Sequence, residues 1–272
     1  MRNIVISGGT DGIGRALALH RLRAGDRVVV IGRSAEKGAR LEREADAGDR
    51  FHFIKADLTL VSENRRVITE VADRLGHVDV LVLCAAYLRM KRVVTSEGFE
   101  HSFALGYLSR FLLSTGIAPL MRDAKAPTIV NLAVIGAGAK AMNWDDLQFT
   151  AKHVGSKVWA QTRRANELLA VGFAREHGLG KIKYVMVNPV YVRSSFAGEF
   201  PKPVRFVVGV LGKLFAKPVE KGILPVVELI EHPPAQELSF YKAAKKQDHT
   251  ATDGDREDAE RLYRETKRLL NN

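Results

Sequence analysis

The chain has 272 residues, 46% of them hydrophobic, one cysteine (Cys84) and a formal net charge of +11. That length supports one large core, and a lone cysteine excludes an intrachain disulfide and suits a reducing, cytoplasmic setting. The basic residues are interleaved with acids and show neither a basic-aromatic strand motif nor zinc-finger spacing, so neither nucleic acid nor a metal is an expected partner. The charge does favour an anionic ligand. No run of ~18 apolar residues predicts a membrane span, and no basic, then apolar leader precedes the first strand-like run, so secretion is not expected.

Strand-like runs fall at Ile4–Ser7, Arg27–Ile31, Phe51–Lys55, Val78–Leu83, Thr128–Leu132 and Ile182–Asn188. Helical periodicity fills Gly12–Ala24, Leu60–Leu75, Thr95–Met121 and Val158–His177. Alternating β and α of this kind predicts an α/β fold: a doubly wound parallel sheet with helices on both faces. No repeat or low-complexity linker divides the chain, so residues 1–272 read as one domain. The proline-bearing stretch 191–218 reads as a lid over a small-molecule pocket. Lys242–Thr250 reads as a mobile polar tail. A terminal helix is predicted at about 255–270, with Thr252 or Asp253 as cap and acids crowding its start.

Ser7-Gly8-Gly9-Thr10-Asp11-Gly12-Ile13-Gly14 follows the first strand and opens the first helix. Gly8 suits a tight turn, Gly12 a close approach of a diphosphate to the backbone, and Gly14 close packing of helix on sheet. The helix N-terminus then offers free N–H groups to phosphate. Arg33, followed by Ser34, ends the second strand where an acid would hold ribose hydroxyls. Its guanidinium suits a 2′-phosphate, which predicts NADP(H) over NAD(H).

The spacing Gly-x-x-x-Gly-x-Gly, Asp57-Leu58-Thr59 after the third strand, Asn131 ending the fifth, and Pro189 after the sixth resemble the short-chain dehydrogenase/reductase family. Asn143-Trp144-Asp145-Asp146-Leu147 resembles an insert of its retinol-dehydrogenase-like members. The resemblance runs from residue 1 to about 270. It implies a Rossmann-type fold, with Gly8, Thr10, Asp11, Gly12, Ile13, Gly14, Arg33, Ser34, Asp57, Leu58, Ala85, Arg163 and Pro189 around the cofactor.

The same resemblance implies a catalytic Asn-Ser-Tyr-Lys tetrad, and this chain departs from it four times. Gly106 stands for asparagine, Val134 for serine, Trp159 for tyrosine and Arg163 for lysine. Gln161-Thr162-Arg163-Arg164-Ala165-Asn166 follows the family's Gln-Ser-Lys-x-Ala-Asn and sets that register. An indole N–H is a donor without a usable acidic proton, and arginine stays charged. Loss of a general acid alone costs on the order of 10²–10⁴ in rate. Val190 and Ser194 stand in the loop that the family writes Pro-Gly-x-x-x-Thr.

Two decoys remain. Tyr87-Leu88-Arg89-Met90-Lys91 has the Tyr-x-x-x-Lys spacing but follows the fourth strand, and His153-Val154-Gly155-Ser156-Lys157 carries histidine for tyrosine. Tyr87, Tyr107, Asp145, His153, Tyr191 and Glu199 border the pocket that the family uses. Three functions follow. The first is a repurposed biosynthetic enzyme that works without the tyrosine relay, by iminium or alkene reduction or by redox-neutral cyclisation or isomerisation. In the redox-neutral version NADP(H) is structural or vestigial. The second is a non-catalytic subunit of a homo- or hetero-oligomer with related chains, packed through small residues such as Ala165 and Ala170. The third is a carbonyl reductase with a relocated acid, Tyr191, His153 or Tyr87.

Overall fold

The structure, a computed structural model, describes residues 1–87, 89–177, 181–189, 218–248 and 251–271. Eight strands form one sheet in the order β3-β2-β1-β4-β5-β6-β7-β8. They are β1 (Asn3–Ser7), β2 (Arg27–Gly32), β3 (Phe51–Lys55), β4 (Val80–Leu83), β5 (Thr128–Leu132), β6 (Lys183–Asn188), β7 (Leu238–Lys242) and β8 (Lys245–Gln247). All neighbours pair in parallel except β7 and β8.

The apolar continuity of β1, β2 and β4 is explained by burial on both faces. Val5, Val29, Ile31, Leu81 and Leu83 enter one core, and Ile4, Ile6, Val28, Val30, Val80 and Val82 enter the other. The first core is closed by α3 (Val61–Leu75), the long helix α4 (His101–Met121), α5 (Gly155–His177) and α8 (Asp253–Asn271). The second is closed by α1 (Gly12–Arg23), α2 (Ala35–Ala45) and the consecutive helices α6 (Val219–Gly222) and α7 (Leu224–Glu231). Ser7 pairs with both Ile31 and Leu83, Leu83 with Asn131, and Leu132 with Val187. The loops after these strands therefore emerge at one edge, where the strand order reverses between β1 and β4. That is where ligands bind to open α/β sheets.

Several expectations are corrected. Lys242–Gln247 belongs to the hairpin Leu238–Gln247 and is not a mobile tail: Phe240 and Gln247 pair across it, and Ala243 takes φ +52 at its turn. Its polar residues escaped recognition because β8 is an exposed edge strand with little burial to impose an apolar alternation. The predicted helix from Thr95 begins only at His101. Glu100 caps it by accepting a hydrogen bond from Phe103 N at 2.7 Å, while Thr95 accepts from Gly98 and Phe99 in a turn. The helix α2 went unpredicted because it buries only Gly38 and Leu41. Among the described residues one helix, His101–Met121, is long and apolar enough to cross a membrane by length and composition, but 72% of its most apolar stretch is buried inside the fold. The expected lid falls almost wholly on residues 190–217, outside the described residues.

The terminal helix is longer than predicted and is bound on two sides. Thr252 accepts from Asp255 N at 3.1 Å while the Asp255 carboxylate accepts from Thr252 N at 2.8 Å, a reciprocal cap. Tyr263 meets the Phe111 ring of α4 edge-on at 4.8 Å, and Thr266 shares a 2.7 Å hydrogen bond with the buried Tyr107 hydroxyl. On α5, buried Arg164 pairs with Asp255 and reaches Asp258 at 3.6 Å. Burial alone would raise the Asp255 carboxyl, but Arg164 and the Thr252 donors hold it down at about 2.

Candidate cofactor and active site

The glycine turn is built by backbone contact. Gly8 and Gly9 both donate to Ile31 O, at 2.8 and 3.3 Å. Gly8 has φ +68, and a Cβ there would stand 2.7 Å from the backbone N and Cα of Ala85. A Cβ on Gly14 would stand 2.5 Å from Gly8 O. Gly12, at φ +51, opens α1. Neither Gly8 nor Gly14 tolerates a side chain, so the first turn of α1 lies bare against the strand ends. This is the cradle that a dinucleotide diphosphate requires.

Around this turn the predicted cofactor residues divide. Asp11 caps α1 by accepting from Gly12 N at 2.8 Å and pairs with Lys37, and Ser34 caps α2 by accepting from Lys37 N at 3.2 Å. Both have helix-capping roles that sequence reasoning did not separate from ligand contact. Thr10 packs on Gly32, where a Cβ would be 2.8 Å from its methyl. Ile13 packs into the second core, and Leu58 is buried beside the first. Asp57 accepts from Thr59 N at 3.0 Å and from its hydroxyl at 2.8 Å, which fixes the loop after β3. Pro189 directly follows β6 at the same edge.

Arg33 is exposed and lies 6.0 Å from the ring centre of Tyr87, which Arg89 approaches at 5.3 Å. His101 meets the same ring edge-on at 6.0 Å. Burial, followed by the Arg89 charge, lowers the pKa of His101; Glu100 opposes the shift, Arg33 adds to it and Asp57 opposes it more weakly. Tyr87 thus belongs to a cationic corner formed by the segments that follow β2 and β4.

At the other end of the cleft, Trp159 and Arg163 lie on α5, and the segments of Gly106 and Val134 meet it. Gly106 sits inside a π-helical turn of α4, Ala104–Leu108. A Cβ on it would stand 2.5 Å from the Thr162 methyl, and Thr162 is fixed by a 2.9 Å bond to Val158 O. The Gly106 carbonyl accepts from Asn166 Nδ2 at 2.8 Å. Arg163 donates to Ile135 O at 2.9 Å and to Val134 O at 3.4 Å, and lies 4.9 Å over the Trp159 ring. Trp159 itself is 37% exposed. From the same helix Glu167 accepts from Gly136 N and Ala137 N, closing the loop after β5.

The other polar candidates separate clearly. Tyr107 is fully buried, and burial pushes its hydroxyl far above the ordinary tyrosine range, so its expected place at the pocket border is corrected to the α4–α8 interface. His153 precedes α5, as expected, and its Nε2 lies 3.7 Å from the buried Glu100 carboxylate. Asp145 is exposed. Burial pushes the Cys84 thiol up to about 12, which keeps it protonated and unreactive. Tyr191, Ser194 and Glu199 lie outside the described residues, as does Val190. Among the described residues no cluster suited to a metal ion occurs. Sequence reasoning missed Arg110, which lies at the heart of the site. A charge inside the apolar run Tyr107–Leu113 was the available signal.

Comparison with known proteins identifies the fold and the family. The chain is 27% identical to human polyprenol dehydrogenase over 171 residues, covering 60% of this chain and 52% of that one. It is 22% identical to human retinol dehydrogenase 13, covering 99% and 84%. The chain thus spans about half the length of the first of these relatives. Among solved structures, a short-chain dehydrogenase/reductase from Serratia marcescens matches with TM-score 0.65 and 20% identity, covering 89% of this chain and 97% of that one. A Shigella flexneri short chain dehydrogenase solved with NADP matches with TM-score 0.69 and 15% identity, covering 90% and 97%. The family model for short chain dehydrogenases matches residues 2–203, and the chain belongs to that family of oxidoreductases.

Proposed function

We propose that this chain is an NADP(H)-binding enzyme that acts on a small molecule without the tyrosine–lysine proton relay of its family. The observation that carries this reading is the state of Arg163. Its guanidinium is engaged by the carbonyls of Val134 and Ile135 and rests on Trp159. These are the positions at which a serine, a tyrosine and a lysine would move a proton. Here they form a permanently charged group, an indole and a valine that brace one another. No group in that set ionises near neutral pH.

The bare glycine turn supports retention of the cofactor, and exposed Arg33 supports a 2′-phosphate on it. The cofactor supplies hydride when bound. The chain's residues hold it and orient an acceptor that needs no proton from oxygen-directed acid catalysis, such as an iminium ion or an activated alkene. A redox-neutral conversion in the same pocket needs only the binding half of this argument. The partner-subunit reading gains nothing from the structure, since Ala165 and Ala170 are fully buried within the chain and α8 packs over both α4 and α5.

Calorimetric titration with NADPH, with NADH as control, tests the cofactor half. NADPH is expected to bind more tightly, and Arg33→Ala to remove about tenfold or more of that preference. Equal weak binding of both cofactors would refute it. The chemical half is tested by following NADPH oxidation with iminium, enone and ketone panels. Turnover confined to ketones and aldehydes would overturn it.

A further inference from the structure

Three arginines are almost wholly buried in the described chain, and two of them are neutralised. Arg21 chelates Asp26 and pairs with Glu231 at 2.7 Å. Arg164 has Asp255, Asp258 and Glu167. Arg110, at 4% exposure, has no carboxylate within ion-pair distance among the described residues. Its guanidinium donates to Leu132 O at 3.0 Å, Ala85 O at 3.1 Å, Asn131 Oδ1, and Asn166 Oδ1 at 3.4 Å. Its Nε is buried without a hydrogen-bond partner. A buried, unpaired charge is expensive, and neutral oxygens offset that cost only in part. Burial accordingly lowers its pKa.

The position of this charge is specific. Ala85, whose carbonyl it holds, is the residue whose N and Cα lie against Gly8 in the glycine turn. Leu132 and Asn131 end β5 on the next strand. The guanidinium therefore lies directly beneath the strand-end cleft, behind the backbone that faces a ligand. We infer that Arg110 is a positioning residue whose unpaired charge draws an anionic dinucleotide into the cleft, the ligand's diphosphate being its missing counter-charge. This rests on the cofactor reading above and adds to it a residue that touches no ligand.

The test supplies Arg110 with a counter-charge from inside the protein. Cys84 directly precedes Ala85, whose carbonyl accepts from Arg110. Cys84→Asp adds a carboxylate there, and Cys84→Asn adds the same shape without charge. The measurements are calorimetric Kd for NADPH and the thermal midpoint of both variants and of wild type. Cys84→Asp is expected to melt no lower than Cys84→Asn and to bind NADPH about tenfold more weakly, as a charge acting over several ångströms of protein would require. Equal affinities in the two variants would overturn the inference and leave the cofactor reading standing. Absence of dinucleotide binding in wild type would remove both. If Cys84→Asp does not fold, Asn131→Asp against wild type makes the same comparison, because Asn131 Oδ1 already touches Arg110. A purely structural Arg110 would move the melting temperature and leave the affinity unchanged.

Discussion

The turn between β1 and α1 and the crossing of α4 on α5 both depend on glycine, for opposite reasons. At Gly8 and Gly14 the atoms that exclude a side chain are backbone: Ala85 N and Cα for the first, Gly8 O for the second. Backbone cannot be repacked away, so the turn stays bare whatever the neighbouring side chains become. At Gly106 the excluding atom is the methyl of Thr162, one substitution from absent. The first kind of glycine preserves a surface for a ligand. At the second kind a neighbouring side chain fills the space that a Cβ would take. One end of the cleft is shaped by backbone, and the other by side chains that brace each other.

The difference is broken most severely by Gly14→Ala. Its Cβ has nowhere to go, and NADPH affinity is expected to fall at least about 100-fold, with a stability loss of about 2 kcal/mol or more, read by calorimetry and thermal melting. Tolerance of alanine there would mean that the two glycines do not differ in kind. Next in size is Asp255→Asn, which removes the main partner of buried Arg164 between α8 and α5. The pKa of Asp255 is held below its unfolded value, so its contribution is present above about pH 4 and lost as pH falls toward 2. The substitution is expected to remove on the order of 2 kcal/mol at neutral pH and to flatten that acid limb in urea titrations. An unchanged limb would assign acid sensitivity to another pair.

The smallest effect is the most diagnostic. Alanine is favoured over glycine inside a helix by up to about 1 kcal/mol, yet Gly106→Ala is expected to destabilise by about 1 kcal/mol, because the Thr162 methyl must move and its bond to Val158 O is lost. Thr162→Ser removes that methyl and keeps the hydroxyl. The double variant is therefore expected to be at least as stable as Thr162→Ser alone, a coupling that a double-mutant cycle measures. Additivity would show that Gly106 is not held by Thr162.

How much of this was legible follows from which signals are local. Strands buried on both faces announce themselves as apolar runs, and β1 to β6 fell within two residues of their expected bounds. The edge hairpin β7–β8 and the amphipathic α2 bury too little to leave such a mark. The glycine turn was legible because its constraint lies in backbone geometry, which residue type reports directly. The roles of Asp11 and Ser34 were not, since capping a helix and facing a phosphate call for the same residue types at the same place. Arg163 could be named from register, but its engagement with the carbonyls of Val134 and Ile135 depends on how the loop after β5 meets α5. Arg110 was hidden for the same reason: its partners lie on three other segments, 21 to 56 residues away in sequence.

The grip of α8 on α4 also sets a timetable for synthesis. Tyr107 and Thr266 are 159 residues apart, and Phe111 waits on Tyr263. While the chain is being made, the glycine turn and the first five strands can leave the ribosome and pair long before α8 exists, and until it does the α4 face around Phe111 stays open. A nascent chain stalled before residue 253 should therefore recruit chaperones that recognise exposed apolar helices, and release of the last helix should end that association.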